Sequence, residues 1–184
     1  MKSMLTAPLA LGLAGSLAVA APTNAGAFEP TPPGTGEGCD AFAWPVAEER
    51  AWFADQNLRR RPTGARLSRI DRAVQLTLQP TQSVHFFLPP ERTPRQDSYS
   101  GDVTFFGVPH PGLYQVTISR DASIDVFENG MRLTAVATSE AKDCRGVRKS
   151  ERFALAPGDL VIVQISGALE PSIKVAFEEA RAQR

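Results

Sequence analysis

The chain has 184 residues, with 20 basic and 20 acidic side chains and 42% apolar residues. That length supports one domain with a core of its own. The charge balance excludes the strongly basic class expected of nucleic-acid binders.

The N-terminus has the grammar of a secretory signal peptide. Lys2 precedes an Ala/Leu-rich apolar run, Leu5 to Ala21, and small-x-small cleavage patterns follow at Ala18-Val19-Ala20 and Ala25-Gly26-Ala27. Cleavage is expected after Ala20, Ala21 or Ala27, so residues 1–27 are assigned to the signal peptide. Pro8, two glycines, a serine and a threonine interrupt the run, and no basic stop-transfer flank follows it. These features argue against a membrane anchor, and no transmembrane segment is expected in the mature chain. Residues 28–38 (FEPTPPGTGEG) are rich in Pro and Gly and read as a flexible linker. The remainder, 39–184, reads as a single domain.

A short helix is expected in PVAEERAWFADQN, with Pro45 at its first position and Glu48 and Glu49 near its positive end. Trp44, Ala47, Ala51, Ala54 and Leu58 fall near one stripe, widened by Trp52 and Phe53, which should face the domain. Leu58 to Arg72 carries Arg59, Arg60, Arg61, Arg66, Arg69 and Arg72, and reads as a solvated connection because no aromatic residues interleave with the arginines.

From Val74 onward the apolar period changes to two. VQLTLQ, SVHFFL, DVTFFGV, LYQVTIS, SIDVFE, MRLTAVATS, SERFAL, LVIVQISG and SIKVAFEE read as strands, separated by turn signals. Asn129-Gly130 between two of them is a strong hairpin signal. LVIVQISG is almost continuously apolar, as a central strand should be. In LYQVTIS, Gln115, Thr117 and Ser119 take the parity opposite to Tyr114, Val116 and Ile118, which points them outward. About nine short strands at this spacing predict a mainly β protein. The economical packing is an antiparallel β-sandwich with one short N-terminal helix.

Cys39 and Cys144 are the only cysteines. An even number in an oxidising compartment predicts a disulfide, here tying the N-terminal region to a late polar loop, KDCRGVRK. Two thiols are too few for a structural zinc site of their own, and no histidine lies beside Cys144 to act as a base.

The order VHFFL, PGLYQVTIS, SIDVFENG, ERFALAPGDLVIVQISG, SIKVAFEE resembles the jelly-roll sandwich of bacterial pre-peptidase C-terminal domains and related carbohydrate-binding modules. Phe153, Leu155, Gly158, Ser166 and Gly167 match their turn-and-strand motif. A second resemblance rests on GCDAFAWPVAEERAWF, TFFGVPHPGLYQV, IDVFENG and KDCRGVRKSERF. These stretches are similar to a family of small secreted proteins of Gram-negative bacteria, members of which are sometimes labelled homogentisate 1,2-dioxygenase. That label implies a mononuclear iron site.

Iron of that type is held by two histidines and a carboxylate. The chain has only His85 and His110, in different segments and without His-x-Glu or His-x-x-x-Glu spacing. His85 is read as a strand residue and His110 as part of a rigid PHPG turn. A site combining them with a distant acid such as Asp102 is the alternative that strand pairing leaves open. Asp121, Asp125 and Glu128 lack the ligand count and central glycine of a calcium loop, so they are read as solvent-facing. The chain contains no Gly-x-Ser-x-Gly. Trp44, Trp52, Tyr99 and Tyr114 are the aromatics with polar handles. Trp44 and Trp52 are assigned to anchoring the helix. Tyr99, in a polar loop with Arg92 and Arg95, is the preferred ligand contact.

The expectation is therefore an exported, periplasmic or secreted, non-catalytic binding module of the cell envelope. It needs no cofactor, and its partner is a glycan or a protein rather than nucleic acid. The alternative is a metal-dependent, dioxygenase-like enzyme using His85 and His110.

Overall fold

The computed structural model describes residues 36–68, 72–158 and 160–181. The expected signal peptide, most of the expected linker, and Arg69 lie outside the described residues. A 3-10 turn, Gly38–Ala41, leads into helix α1, Ala47–Ala54. Twelve strands follow: β1 Arg60–Pro62, β2 Ala65–Leu67, β3 Ala73–Thr77, β4 Gln79–Pro80, β5 Tyr99–Phe106, β6 Gly112–Ile118, β7 Ser123–Glu128, β8 Met131–Leu133, β9 Ala137–Glu140, β10 Lys149–Leu155, β11 Leu160–Ala168 and β12 Ser172–Glu179. They form two packed sheets, so the protein is a β-sandwich. The first sheet has the order β1-β3-β12-β6-β10-β9; the second has β2-β5-β11-β7-β8, with β4 paired to β5. Among the described residues no helix is long and apolar enough to cross a membrane.

Alternation places Val74, Leu76, Val116, Ile118, Phe153, Ile173 and Val175 of the first sheet against Val103, Phe105, Val126, Val161, Val163 and Ile165 of the second. The continuously apolar β11 lies between β5 and β7, as its composition requires. Asn129 (φ 50°) and Gly130 (φ 79°) form the β7–β8 turn, both in the left-handed region that this hairpin type demands.

Two features depart from a purely antiparallel pattern. The arginine segment supplies β1, which pairs in parallel with β3, and β2, which pairs in parallel with β5. Between them, Thr63 and Gly64 carry the chain from one sheet to the other, with Gly64 at φ 76°. MRLTAVATS also divides: β8 pairs with β7 in the second sheet, and β9 with β10 in the first.

Both outer faces are covered. On the first sheet, Phe42, Trp44, Val46 and Phe53 of the N-terminal segment pack with Ala141, Cys144, Val147 and Ala176. The disulfide Cys39–Cys144, spanning 105 residues, closes this layer. The helix buries only part of the expected face: Phe53 is buried and Trp52 half-buried, but the alanine stripe is not. Ala47, Ala51 and Ala54 are exposed, while Val46, Glu49 and Phe53 are buried. Small alanines contribute little area, so the bulky Phe53 and the hydrogen-bonded Glu49 set the face.

On the second sheet the cover is the loop 84–98, which includes residues 84–88 of the SVHFFL stretch expected as a strand; Ser83 ends a 3-10 turn, Thr81–Ser83. Phe87 donates its backbone N–H to Gln164 Oε1 (3.1 Å), and Gln164 Nε2 donates to Leu88 O (3.2 Å). The Phe87 ring meets Phe127 edge-on at 5.2 Å. A side-chain amide thus replaces a ladder partner. The following Pro89-Pro90 could not have donated to a strand.

Candidate functional site

A concavity of about 700 Å³ opens at the end of the sandwich where β5 and β12 stop and β6 begins. This is a volume that suits a small ligand. Strand parity brings Phe105, Tyr114 and Phe177 together between the sheets. Phe177 lies 4.6 Å from Phe105 and stacks at 5.7 Å on Tyr114. The next residue of β5, Phe106, points outward and is 49% exposed at the cleft wall. The wall continues through Gly107, Val108 and Pro109, the loop that begins where β5 ends.

Polar groups ring this aromatic floor. The Tyr114 hydroxyl donates to His110 O (3.1 Å), which ties the Pro109-His110-Pro111 turn to β6. His110 Nε2 lies 3.3 Å from Glu179 Oε2. Arg181 pairs with Glu48 of α1, and Arg72 lies over the Trp52 ring at 6.0 Å. Glu178 also lines the cleft. Burial, followed by the nearby Glu49 carboxylate, raises its carboxyl to about 7. Glu178 therefore holds its proton well into the range where ordinary carboxylates have lost it.

Beneath the N-terminal segment lies a buried polar layer. Glu49 Oε1 accepts from Gln115 Nε2 and from Thr117 Oγ1 (3.2 Å). Ser150 Oγ bonds to Thr117 Oγ1 (2.8 Å) and accepts from Trp44 Nε1 (3.0 Å). Arg152 Nε donates to Gln115 Oε1 (3.1 Å). Gln115 and Thr117, expected to face solvent, are buried. Their parity is as expected, but a further layer covers the face they occupy.

The expected site residues are distributed over several elements. Tyr99 is not in an exposed loop: it opens β5, half-buried against the core and paired with Pro80 and Ala168. Arg92 and Arg95 are exposed on the loop that crosses the second sheet. Tyr99 and Phe106 are the two ends of β5, about 23 Å apart at strand rise. The expected contact and the cleft are therefore separate places. Of the described arginines between 58 and 72, only Arg72 lines the cleft. Asp125 is buried rather than solvent-facing. It pairs with Arg132 Nε at 3.2 Å, and its Oδ1 accepts from Glu91 N (3.3 Å). Asp121 is exposed, as expected, and Glu128 is half-buried.

His85 is exposed in the loop over the second sheet rather than in a strand, and His110 is engaged with Glu179 at the sandwich end. Among the described residues no group of three or more His, Cys, Asp or Glu side chains could hold a metal ion. Asp102 faces Thr63, whose hydroxyl lies 3.3 Å from its Oδ1. Burial raises the Asp102 carboxyl, and that hydrogen bond partly offsets the rise. These residues do not fit a two-histidine, one-carboxylate iron site.

Sequence reasoning singled out Tyr114 but missed Phe105, Phe106 and Phe177. The available signal was aromatic residues at the ends of β5 and β12, beside a Pro-His-Pro turn. Compared with known proteins, the chain matches no family model, no curated protein and no solved structure.

Proposed function

We propose that the protein is an exported, non-catalytic envelope protein that binds a glycan in the cleft at the end of the sandwich. The observation that carries this reading is the exposed Phe106 ring beside the Phe105–Phe177–Tyr114 stack, in a concavity ringed by carboxylates and guanidinium groups. Sugars present apolar C–H faces that stack on aromatic rings, and hydroxyls that bond to carboxylates and arginines. The charged groups here are already engaged with one another, His110 with Glu179 and Arg181 with Glu48. They are not converged on one reacting point, which favours binding over catalysis. Export is supported by the pattern of residues 1–27 and by the use of both cysteines in one bridge.

The test is a glycan array of neutral, amino and acidic oligosaccharides, probed with the wild-type protein and Phe106→Ala. Retention of one sugar class by the wild type alone, with equal melting temperatures, is expected. A blank array, or equal retention by both proteins, overturns the reading.

A further inference from the structure

A second concavity, of about 370 Å³, lies at the other end of β6, against the loop that the disulfide anchors. Its wall includes Arg120, Lys142, Gly146 and Arg148, together with the acids Asp121 and Glu170. The last of these acids is committed: Arg120 Nη1 lies 2.9 Å from Glu170 Oε1.

Arg148 is different. Its side chain is only 19% exposed, and its backbone is fixed on both sides, N–H to Ile118 O (2.9 Å) and C=O from Ala141 N (3.2 Å). Its guanidinium has only distant carboxylates, Asp121 Oδ1 at 3.9 Å from Nη2 and Glu140 Oε2 at 3.9 Å from Nη1. Both are beyond hydrogen-bond range. Nη1 is buried with no hydrogen-bond partner. A buried guanidinium donor without an acceptor is costly, and its planar fork is shaped for the paired oxygens of an oxyanion. Asp121 is 71% exposed, so water screens its claim on this cation.

We propose that Arg148, with Lys142, forms an oxyanion-binding site for a phosphate or sulfate group, separate from the aromatic cleft. The disulfide then has a second consequence. By pinning Cys144, four residues before Arg148 in the chain, it holds the loop that forms one wall of the site. The same chemistry could be presented by a free anion or by an anionic ester on an envelope polymer.

The test is titration of the oxidised protein with inorganic phosphate and with sulfate at constant ionic strength, followed by amide chemical-shift mapping. Saturable shifts around 119–121 and 142–148 are expected, with low-millimolar affinity. Arg148→Met should weaken this by about tenfold or more, given the strength of charged hydrogen bonds. Lys142→Ala, an exposed change that spares the fold, should weaken it less. A phosphorylated or sulfated oligosaccharide that binds more tightly than the free ion, with the same Arg148 dependence, identifies an ester as the source; equal affinity identifies the free anion. Absent or non-saturable shifts, shifts reproduced by chloride, or shifts that Lys142→Ala and a folded Arg148→Met both leave intact overturn the proposal.

Discussion

The Arg152 guanidinium lies 4.2 Å from the centroid of the Trp44 ring, while Trp44 Nε1 donates to Ser150 on the same strand. One indole thus covers a buried cation with its face and satisfies a buried hydroxyl with its edge. It is also 98% buried, in the layer over the first sheet. Removing it leaves a cavity and strips the cover from Arg152, whose charged form is already disfavoured by burial and supported by Glu49. Trp44→Ala should cost about 3–5 kcal/mol in urea denaturation. Trp44→Phe, which retains most of the area but loses the donor, should cost about 1–3 kcal/mol. Equal losses for the two would show that the Nε1 bond and not the ring volume carries the effect.

The disulfide closes the same layer from its other end. Tying residues 105 apart removes chain entropy from the unfolded state, about 5 kcal/mol in the loop-closure model. Cys39→Ser with Cys144→Ser, or reduction of the wild type, should therefore lower the unfolding free energy by several kcal/mol. Cys39 and Phe42 to Phe53 form the cover, so the change should appear first in the fluorescence of Trp44 and Trp52 and in amide exchange over α1. Global unfolding without early loss of protection in α1 would contradict this local picture.

How far the residues announce this fold differs between layers. The inter-sheet core was legible because Leu76, Val116 and Ile118 alternate with polar neighbours, and Asn129-Gly130 marks its hairpin unambiguously. The covering layers were not. Gln115, Thr117, Asp125 and Gln164 have the composition of a wet sheet face, yet each is buried by a segment remote in sequence. Local periodicity reports which side of a strand a residue occupies, but not whether another segment lies above that side. The aromatic cleft was obscured similarly. Phe105 and Phe177 are 72 positions apart in the sequence and meet only because β5 and β12 end at the same edge of the sandwich.

Two carboxyls make stability depend on pH near neutrality. Glu178 and Glu151 each rise from 4.5 to about 7, first because of burial; the Glu49 carboxylate adds to the rise for Glu178, and Lys149 opposes it for Glu151. Below 4.5 both the folded and unfolded states hold these protons. Between 4.5 and about 7 the folded protein keeps protons that the unfolded chain has released. Stability therefore falls as pH rises through that window and levels off above it. Glu178→Gln and Glu151→Gln mimic the protonated form. Each should flatten the decline and raise the melting temperature at pH 8 by about 2–4 °C. A wild-type melting temperature that climbs from pH 5 to pH 8 would reverse the sign and count against the burial of both groups.

The crossing from one sheet to the other depends on a glycine facing Thr63. Thr63 Oγ1 accepts from Asp102 N at 2.8 Å, and Gly64 N donates to Asp102 O at 2.9 Å, so the turn is stitched to β5 at the residue after Gly101. A Cβ at Gly101 would stand 2.5 Å from Thr63 Oγ1, 2.9 Å from Thr63 Cβ and 3.1 Å from Leu78 Cδ2. No rotamer of the new residue avoids these contacts, because the Cβ itself makes them. Gly101→Ala should therefore destabilise the protein by about 1–3 kcal/mol, the range for overpacking in a dense interior. Thr63→Ala removes the nearest of the three atoms but leaves Cβ in place. The double variant should then be more stable than the sum of the single losses predicts, by about 0.5 kcal/mol or more. Strict additivity in a urea double-mutant cycle would mean that the β1–β2 turn moves away from Gly101 freely, and that the sheet crossing is not held at this contact.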